Sequence, residues 1–278
     1  MKQLKNRVAV ITGAGSGIGR ATALRLAQEG CQLALSDIDE AGLEETARQI
    51  GNESPKVTTH IVDASDAESM RRFADDVVES HEHVHIVVNN AGVALMGTLE
   101  ENSLEDLEWL VGINFWGVVY GCKFFIPALR KEEEAHIINI SSLAGLTGVP
   151  SLGVYSATKA AVRSWTESLS AELRGTGVSV SSIHPGGIAT SIVANARLDG
   201  TMDKQNMMDE FSRRAVGPDH VANKIVSVLR SGRLRGLVCR ETHVIAFLLR
   251  LMPETTQKLI GWAWARSEAN RRASTARR

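Results

Sequence analysis

Three residues carry chemistry in this sequence: Tyr155, Lys159 four positions on, and Ser142 thirteen positions before the tyrosine. Residues four apart on a helix share a face, so a helix through Tyr155-Ser-Ala-Thr-Lys159 points both side chains into one space. A free phenol titrates near pH ~10, and an ammonium held beside it favours the phenolate and lowers that value. Tyr155 is therefore expected to exchange a proton with a substrate oxygen near neutral pH. Ser142, at the end of the preceding strand, can offer its hydroxyl to the same oxygen. Together the three groups suit the movement of a proton on or off an alcohol oxygen while a hydride moves elsewhere. A tyrosine and a lysine at this spacing are common on solvated helices, so the surrounding elements decide the matter.

Those elements alternate. Residues 7–12, 32–36, 57–62, 84–89, 136–140 and 178–183 read as short, β-branched, apolar strands. Helical spacing fills 20–29, 40–50, 66–80, 104–130 and 154–174 between them. Alternating strands and helices imply right-handed crossovers and a parallel sheet covered on both faces. The fold class is α/β, a Rossmann-like doubly wound sheet of about seven strands. A further helix at 218–230, a last strand at 236–238 and two amphipathic tail helices separated by Pro253 complete the chain. The expectation is one domain: residues 1–240 bind the dinucleotide and catalyse, with a substrate loop at 186–215, and 241–278 form a helical extension.

Thr12-Gly13-x-x-x-Gly17-x-Gly19 lies between the first strand and first helix. There a pyrophosphate can rest on helix N–H groups, and glycine lets the backbone approach without a Cβ in the way. Asp37, ending the second strand, can accept hydrogen bonds from ribose hydroxyls and would repel a 2′-phosphate, favouring NAD over NADP. The competing reading is that Asp37 only caps the turn before Asp39. Asp63, ending the third strand, is placed either for an adenine amino group or as a turn cap.

Composition excludes several classes. The 278 residues are 44% hydrophobic with a net charge of −1, which argues against a nucleic-acid surface. Three scattered cysteines fit a reducing compartment, and with no export signal read at the amino terminus the expected location is cytoplasmic. No stretch reads as a membrane span; the best candidate, 244–252, is short and interrupted by Arg250. His81-Glu-His83-Val-His85 suggests metal ligands, but without a cysteine to complete a set it reads as a solvated helix end and loop, and no metal is expected. His184 reads as structural and Cys122 as a buried small hydrophobe.

The glycine loop, Asn89-Asn90-Ala91-Gly92, Ser142, Tyr155-x-x-x-Lys159 and Pro185-Gly186 occur in that order. In this the chain resembles the short-chain dehydrogenase/reductase family, its compact branch, over about residues 5–240. The resemblance implies that Tyr155 is the general acid/base, that Lys159 lowers its pKa and holds the nicotinamide ribose, and that Ser142 orients the carbonyl while Ser141 faces away. Asn114 would hold a water in the proton relay; judged alone it is a polar residue inside a helix. Cofactor contacts are implied for Gly13, Ser16, Gly17, Ile18, Gly19, Asp37, Asp63, Ala64, Asn90, Ala91, Gly92, Tyr155, Lys159, Pro185 and Gly186. Ile188 and Thr190 would meet the nicotinamide carboxamide. His85 departs from the acid that relatives usually carry before the fourth strand.

The 186–215 loop contributes Ile188, Ile192, Val193, Met202, Met207, Met208 and Phe211, a pliable apolar wall. It points to a hydrophobic secondary alcohol or its ketone, unless those side chains pack only on protein. Two other readings are an NADP-dependent 3-oxoacyl-carrier-protein reductase, disfavoured by Asp37, and a non-catalytic dinucleotide-sensing regulator, which would typically lack Tyr155 or Lys159. Apolar surface on helices 104–130 and 154–174, with Phe115, Trp116, Phe124, Phe125 and Trp165, implies by the same resemblance a homodimer or homotetramer. The tail helices are expected to cap the substrate cleft, extend a subunit interface or lie on a membrane.

Overall fold

The computed structural model describes residues 1–190, 192, 196–198 and 215–275, with side chains through residue 266. Val193, Met202, Met207, Met208 and Phe211 of the expected apolar wall lie outside the described residues.

Short β-branched runs form the strands because their side chains are covered on both faces of the sheet. Val8–Thr12 (β1), Ile86–Asn89 (β4) and Ala135–Ile140 (β6) are buried at every position. With Gln32–Asp37 (β2), Val57–Ile61 (β3), Val178–His184 (β7) and Arg235–Leu237 (β9) they make a seven-stranded sheet, ordered β3-β2-β1-β4-β6-β7-β9 and parallel throughout. Alternation along β1 divides its side chains between two cores. Ala9 and Ile11 join Leu26, Leu43 and Ile225 on one face, while Val10 joins Phe73, Phe125 and Leu169 on the other. Helices Gly17–Gln28 (α1), Glu40–Ile50 (α2) and Pro218–Ser231 (α7) thus cover the first face. Ala67–His81 (α3), Gly117–Leu129 (α5) and Gly153–Glu172 (α6) cover the second. The chain runs outward from β1 through β3, then returns to β4 on the other side of β1. That reversal opens a crevice at the carboxyl ends of β1 and β4, where this fold class binds ligands.

Three departures from the expected elements matter. The helix expected over 104–130 runs unbroken over Leu104–Leu129 but contains a π-turn at Gly112–Trp116, between Leu104–Val111 (α4) and α5. A small two-stranded parallel ladder pairs Leu95–Met96 (β5) with Arg197–Leu198 (β8). The run Leu104–Leu129 also meets the length and composition of a membrane span, contrary to the expectation that none would. Part of its apolarity belongs to the core: Val118, Cys122, Phe125 and Leu129 are buried against α3 and the sheet, while Leu104 and Trp116 are exposed. The chain ends in the two expected tail helices, Arg240–Leu251 (α8) and Pro253–Thr275 (α9).

Candidate active site

β6 delivers two serines to its carboxyl end with opposite facings, as alternation on a strand requires. The Ser141 hydroxyl donates 2.7 Å to the Lys159 carbonyl. Ser142 opens a 3₁₀ turn over Leu143–Gly145, accepting from the Ala144 N–H at 3.1 Å. Gly145 allows this turn to close on α6: a Cβ there would stand 2.6 Å from the Lys159 carbonyl oxygen. Behind the turn, His184 donates from Nδ1 to the Ser142 carbonyl at 3.1 Å and meets the Ser182 hydroxyl at 2.9 Å. Burial pushes the His184 imidazole down to about 4, so it is neutral at pH 7. Its structural role is therefore specific: it fixes the carbonyl of Ser142.

On α6, Tyr155 and Lys159 share the expected face. Lys159 is buried, its ammonium donates 3.2 Å to the Ile140 carbonyl, and it lies 5.8 Å from the centre of the Tyr155 ring. Burial pushes Lys159 down to about 8. The Tyr155 phenol is raised above its ordinary value by burial, opposed by a hydrogen bond from Ser142. The expected lowering by Lys159 does not act here: burial raises the phenol, and the ammonium is turned to the Ile140 carbonyl instead of the phenolic oxygen.

Asn114 is fully buried in the π-turn. The irregular turn aims its amide across at the segment after β4, where Oδ1 accepts from the Val93 N–H at 2.8 Å and Nδ2 donates to the Val93 carbonyl at 3.0 Å. Such turns often stand at functional sites. A Cβ on Gly92 would lie 3.2 Å from Asn114 Oδ1 and 3.3 Å from Lys159 Nζ, so Gly92, Asn114 and Lys159 converge around one point.

The glycine loop packs against that same segment. Gly13 (φ 65°) and Gly17 (φ 51°) adopt left-handed conformations, and a Cβ on Gly13 would approach Ala91 Cα to 2.8 Å. Asn90 donates its side-chain amide to the Thr12 and Gly13 carbonyls at 2.9 and 3.0 Å, and Thr12 Oγ1 accepts from the Asn90 and Ala91 N–H groups at 3.0 Å. Thr12 was visible only as a letter of the motif; its hydroxyl is what ties the two loops together. Gly19 opens into α1 against the Gly13 carbonyl. No acidic residue occupies the first turn of α1 after Ser16, Gly17 and Ile18, so the helix end is suited to an anion. Thr190 reaches over the loop, its methyl 3.2 Å from where a Cβ on Gly17 would sit.

Asp37 does two things at once. Its Oδ2 accepts from the Gly15 N–H at 2.8 Å and its Oδ1 from the Asp39 N–H at 3.1 Å, bracing both the loop and the turn into α2. The nearby Arg20 guanidinium is engaged by the Gly15 and Gly42 carbonyls and Thr46. Asp63 is exposed and accepts from Ser65, while Asp66 caps α3; Ala64 packs against Gly117. The Pro185 carbonyl accepts from the Leu143 N–H at 2.7 Å, joining the Pro-Gly turn to the turn after Ser142. A Cβ on Gly186 would lie 3.1 Å from Cys239 Cβ, so that turn is pressed on the start of α8. The Ile188 side chain is buried in the core rather than facing the crevice, which leaves only its main chain for a ligand.

The histidine cluster differs from the solvated loop expected of it. His81 and His85 are buried. His81 meets Thr58 and Gln32, and His85 accepts from the Val8 N–H at 3.1 Å while its other nitrogen meets Glu132 at 3.3 Å. His85 thus supplies at the mouth of β1 an acceptor that a carboxylate could equally supply. Only His83 is exposed. Among the described residues, no group of three His, Cys, Asp or Glu is placed to hold a metal ion.

Gln257 on α9 was not signalled by the sequence, where it is one polar residue of an amphipathic helix. Its Oε1 accepts from the Thr147 hydroxyl at 2.6 Å and its Nε2 donates to the Gly148 carbonyl at 3.0 Å. Trp264 donates to Ser151 Oγ at 3.3 Å, and Ser151 holds a left-handed φ of 61°. The tail helix therefore clamps the loop between Ser142 and Tyr155.

A glycine loop at the switch point of a parallel sheet, with serine, tyrosine and lysine on the adjoining strand and helix, defines a dinucleotide-dependent oxidoreductase site. The chain belongs to the short-chain dehydrogenase family, whose model matches residues 7–200, and it is an NAD(P)-dependent oxidoreductase of that family. It is 39% identical over 264 residues to SadH of Mycobacterium tuberculosis, a protein named as an oxidoreductase, covering 94% of this chain and 96% of that one. A short-chain dehydrogenase/reductase from Burkholderia phymatum in complex with NAD superimposes with a TM-score of 0.84 at 32% identity, covering 92% and 97% of the two chains. An alcohol dehydrogenase from Thermococcus sibiricus complexed with 5-hydroxy-NADP superimposes with a TM-score of 0.73 at 28% identity, covering 84% and 96%.

Proposed function

We propose that the protein interconverts a hydrophobic secondary alcohol and its ketone with NAD, Tyr155 handling the proton. The observation that carries this reading is the convergence of Ser142, Tyr155, Lys159 and Asn114 beside the glycine loop. The loop, Asn90 and the end of α1 fit a pyrophosphate; Asp37 is placed for the adenosine ribose and Asp63 for the adenine. Gly92 and Lys159 would hold the nicotinamide ribose, and Pro185, Ile188 and Thr190 the carboxamide. Bound oxidised nicotinamide supplies a hydride acceptor and a positive charge. In the direction of oxidation, the Tyr155 phenolate takes up the hydroxyl proton and becomes the phenol, Ser142 donates a hydrogen bond to the same substrate oxygen, and Lys159, together with the positive charge of bound nicotinamide, favours the phenolate from which the step starts. His184 keeps Ser142 in place through its carbonyl. Asn114, held by Val93, orients the water through which Lys159 exchanges its proton with solvent.

Half-buried Leu143, Leu146, Val149 and Leu152, in the segment between Ser142 and Tyr155, favour an aliphatic, aromatic or steroid alcohol over a small charged polyol. Retention of both Tyr155 and Lys159 favours an enzyme over a dinucleotide sensor, and Asp37 favours NAD over an NADP-dependent carrier-protein reductase. Oxidation of aliphatic, aromatic and steroid alcohols, measured with NAD and NADP in parallel, tests this. Turnover of hydrophobic secondary alcohols with NAD is the expected result; activity confined to charged polyols, or a clear NADP preference, would overturn it.

A further inference from the structure

α8 and α9 each have two chemically distinct faces. On α9, Gln257 and Trp264 turn inward to the catalytic loop. One face round, at positions i, i+3 and i+7, Leu259, Trp262 and Arg266 turn outward. Leu259 is 60% exposed and Trp262 is 62% exposed, with the Arg266 guanidinium 5.4 Å from the Trp262 ring centre. α8 repeats the pattern: Val244, Phe247 and Leu251 form an outward stripe with exposures of 57%, 61% and 59%. Arg240 and Arg250 stand at the two ends of that helix.

Charge follows this division. Residues 240–278 hold eight Lys or Arg against three Glu and no Asp, although the whole chain has a net charge of −1. The remainder is therefore acidic, and the cationic residues are concentrated on the segment that exposes apolar side chains. Basic residues framing Trp, Phe and Leu are the composition of helices that lie in a bilayer interface, where aromatic rings enter the headgroup region and cations meet anionic lipid. Among the described side chains the two helices carry Arg240, Arg250, Lys258 and Arg266 against Glu241 and Glu254, so a two-fold contact between copies would set net positive charge against itself.

We propose that the outer face of α8 and α9 docks on an anionic lipid bilayer, with Phe247 and Trp262 as its apolar anchors. Docking does not depend on the reaction assigned above. Because the inner face of α9 holds the loop between Ser142 and Tyr155, the bilayer lies next to the substrate cleft.

The test is co-sedimentation of the full chain with vesicles of phosphatidylcholine, with and without about 30% phosphatidylglycerol, each repeated in about 0.5 M salt. Two variants, Phe247→Ser/Trp262→Ser and Arg240→Glu/Arg250→Glu, are compared with the parent by the same assay, by circular dichroism and by sizing. Binding to the anionic vesicles that falls at least about tenfold on neutral vesicles, in high salt and in either folded variant supports the proposal. Failure of the parent to bind, equal binding to neutral vesicles, or variants that bind like the parent would overturn it. So would a change of subunit number in the variants, which would assign the face to contact between copies.

Discussion

The Lys159 ammonium lies 5.8 Å from the centre of the Tyr155 ring and donates to the Ile140 carbonyl at 3.2 Å, buried from solvent. This placement costs stability. Lys159 titrates near 10.5 when unfolded and about 8 when folded, so between those values the unfolded chain binds more protons and stability rises with pH. Below pH 8 the cost is fully present, up to ~3 kcal/mol. Lys159→Met should abolish turnover yet raise the unfolding midpoint at pH 7, with the gain shrinking toward pH 10. Denaturation of both proteins across that range checks it, and a midpoint lowered at pH 7 would refute it.

Tyr155→Phe removes the proposed acid/base group but leaves the glycine loop intact. Turnover should fall about 100- to 10,000-fold, with dinucleotide affinity, read by fluorescence titration, changed less than about threefold.

Asp37 braces the glycine loop, and it is the residue proposed to hold the adenosine ribose. Asp37→Ser should lower kcat/KM with NAD by about tenfold or more and narrow the gap to NADP. An unchanged NAD-to-NADP ratio with a lower thermal midpoint would reduce Asp37 to a bracing role.

His184 is held neutral by burial, folded near 4 against an ordinary 6.5. As pH falls below 6.5 the unfolded chain takes up this proton first, so stability is lost from about 6.5 down through 4. His136, pushed to about 3, acts in the same sense. His184→Ala should leave the Ser142 carbonyl unpaired at a cost of ~1–3 kcal/mol and slow turnover. His184→Asn can keep a donor there and should recover part of the rate while flattening the acid loss.

Gln257→Ala removes two hydrogen bonds to the loop between Ser142 and Tyr155. At ~1 kcal/mol for each neutral bond, kcat is expected to fall about fivefold or more. Gln257→Glu, which keeps the Thr147 acceptor but loses the Gly148 donor, should lie between.

The sequence by itself determined what depends on local periodicity and backbone freedom. Alternating strand and helix patterns foretold the parallel sheet, the spacing of Gly13, Gly17 and Gly19 marked the loop, and the four-residue spacing of Tyr155 and Lys159 set them on one face. Only the tertiary structure decided what depends on water and on distant neighbours. It raised the Tyr155 phenol instead of lowering it, buried His81 and His85, set into the 104–130 helix a π-turn that aims Asn114 at Val93, and brought Gln257 onto a loop 110 positions away in sequence. Desolvation and long-range contact arise from what packs around a group, and no local pattern of residues records that.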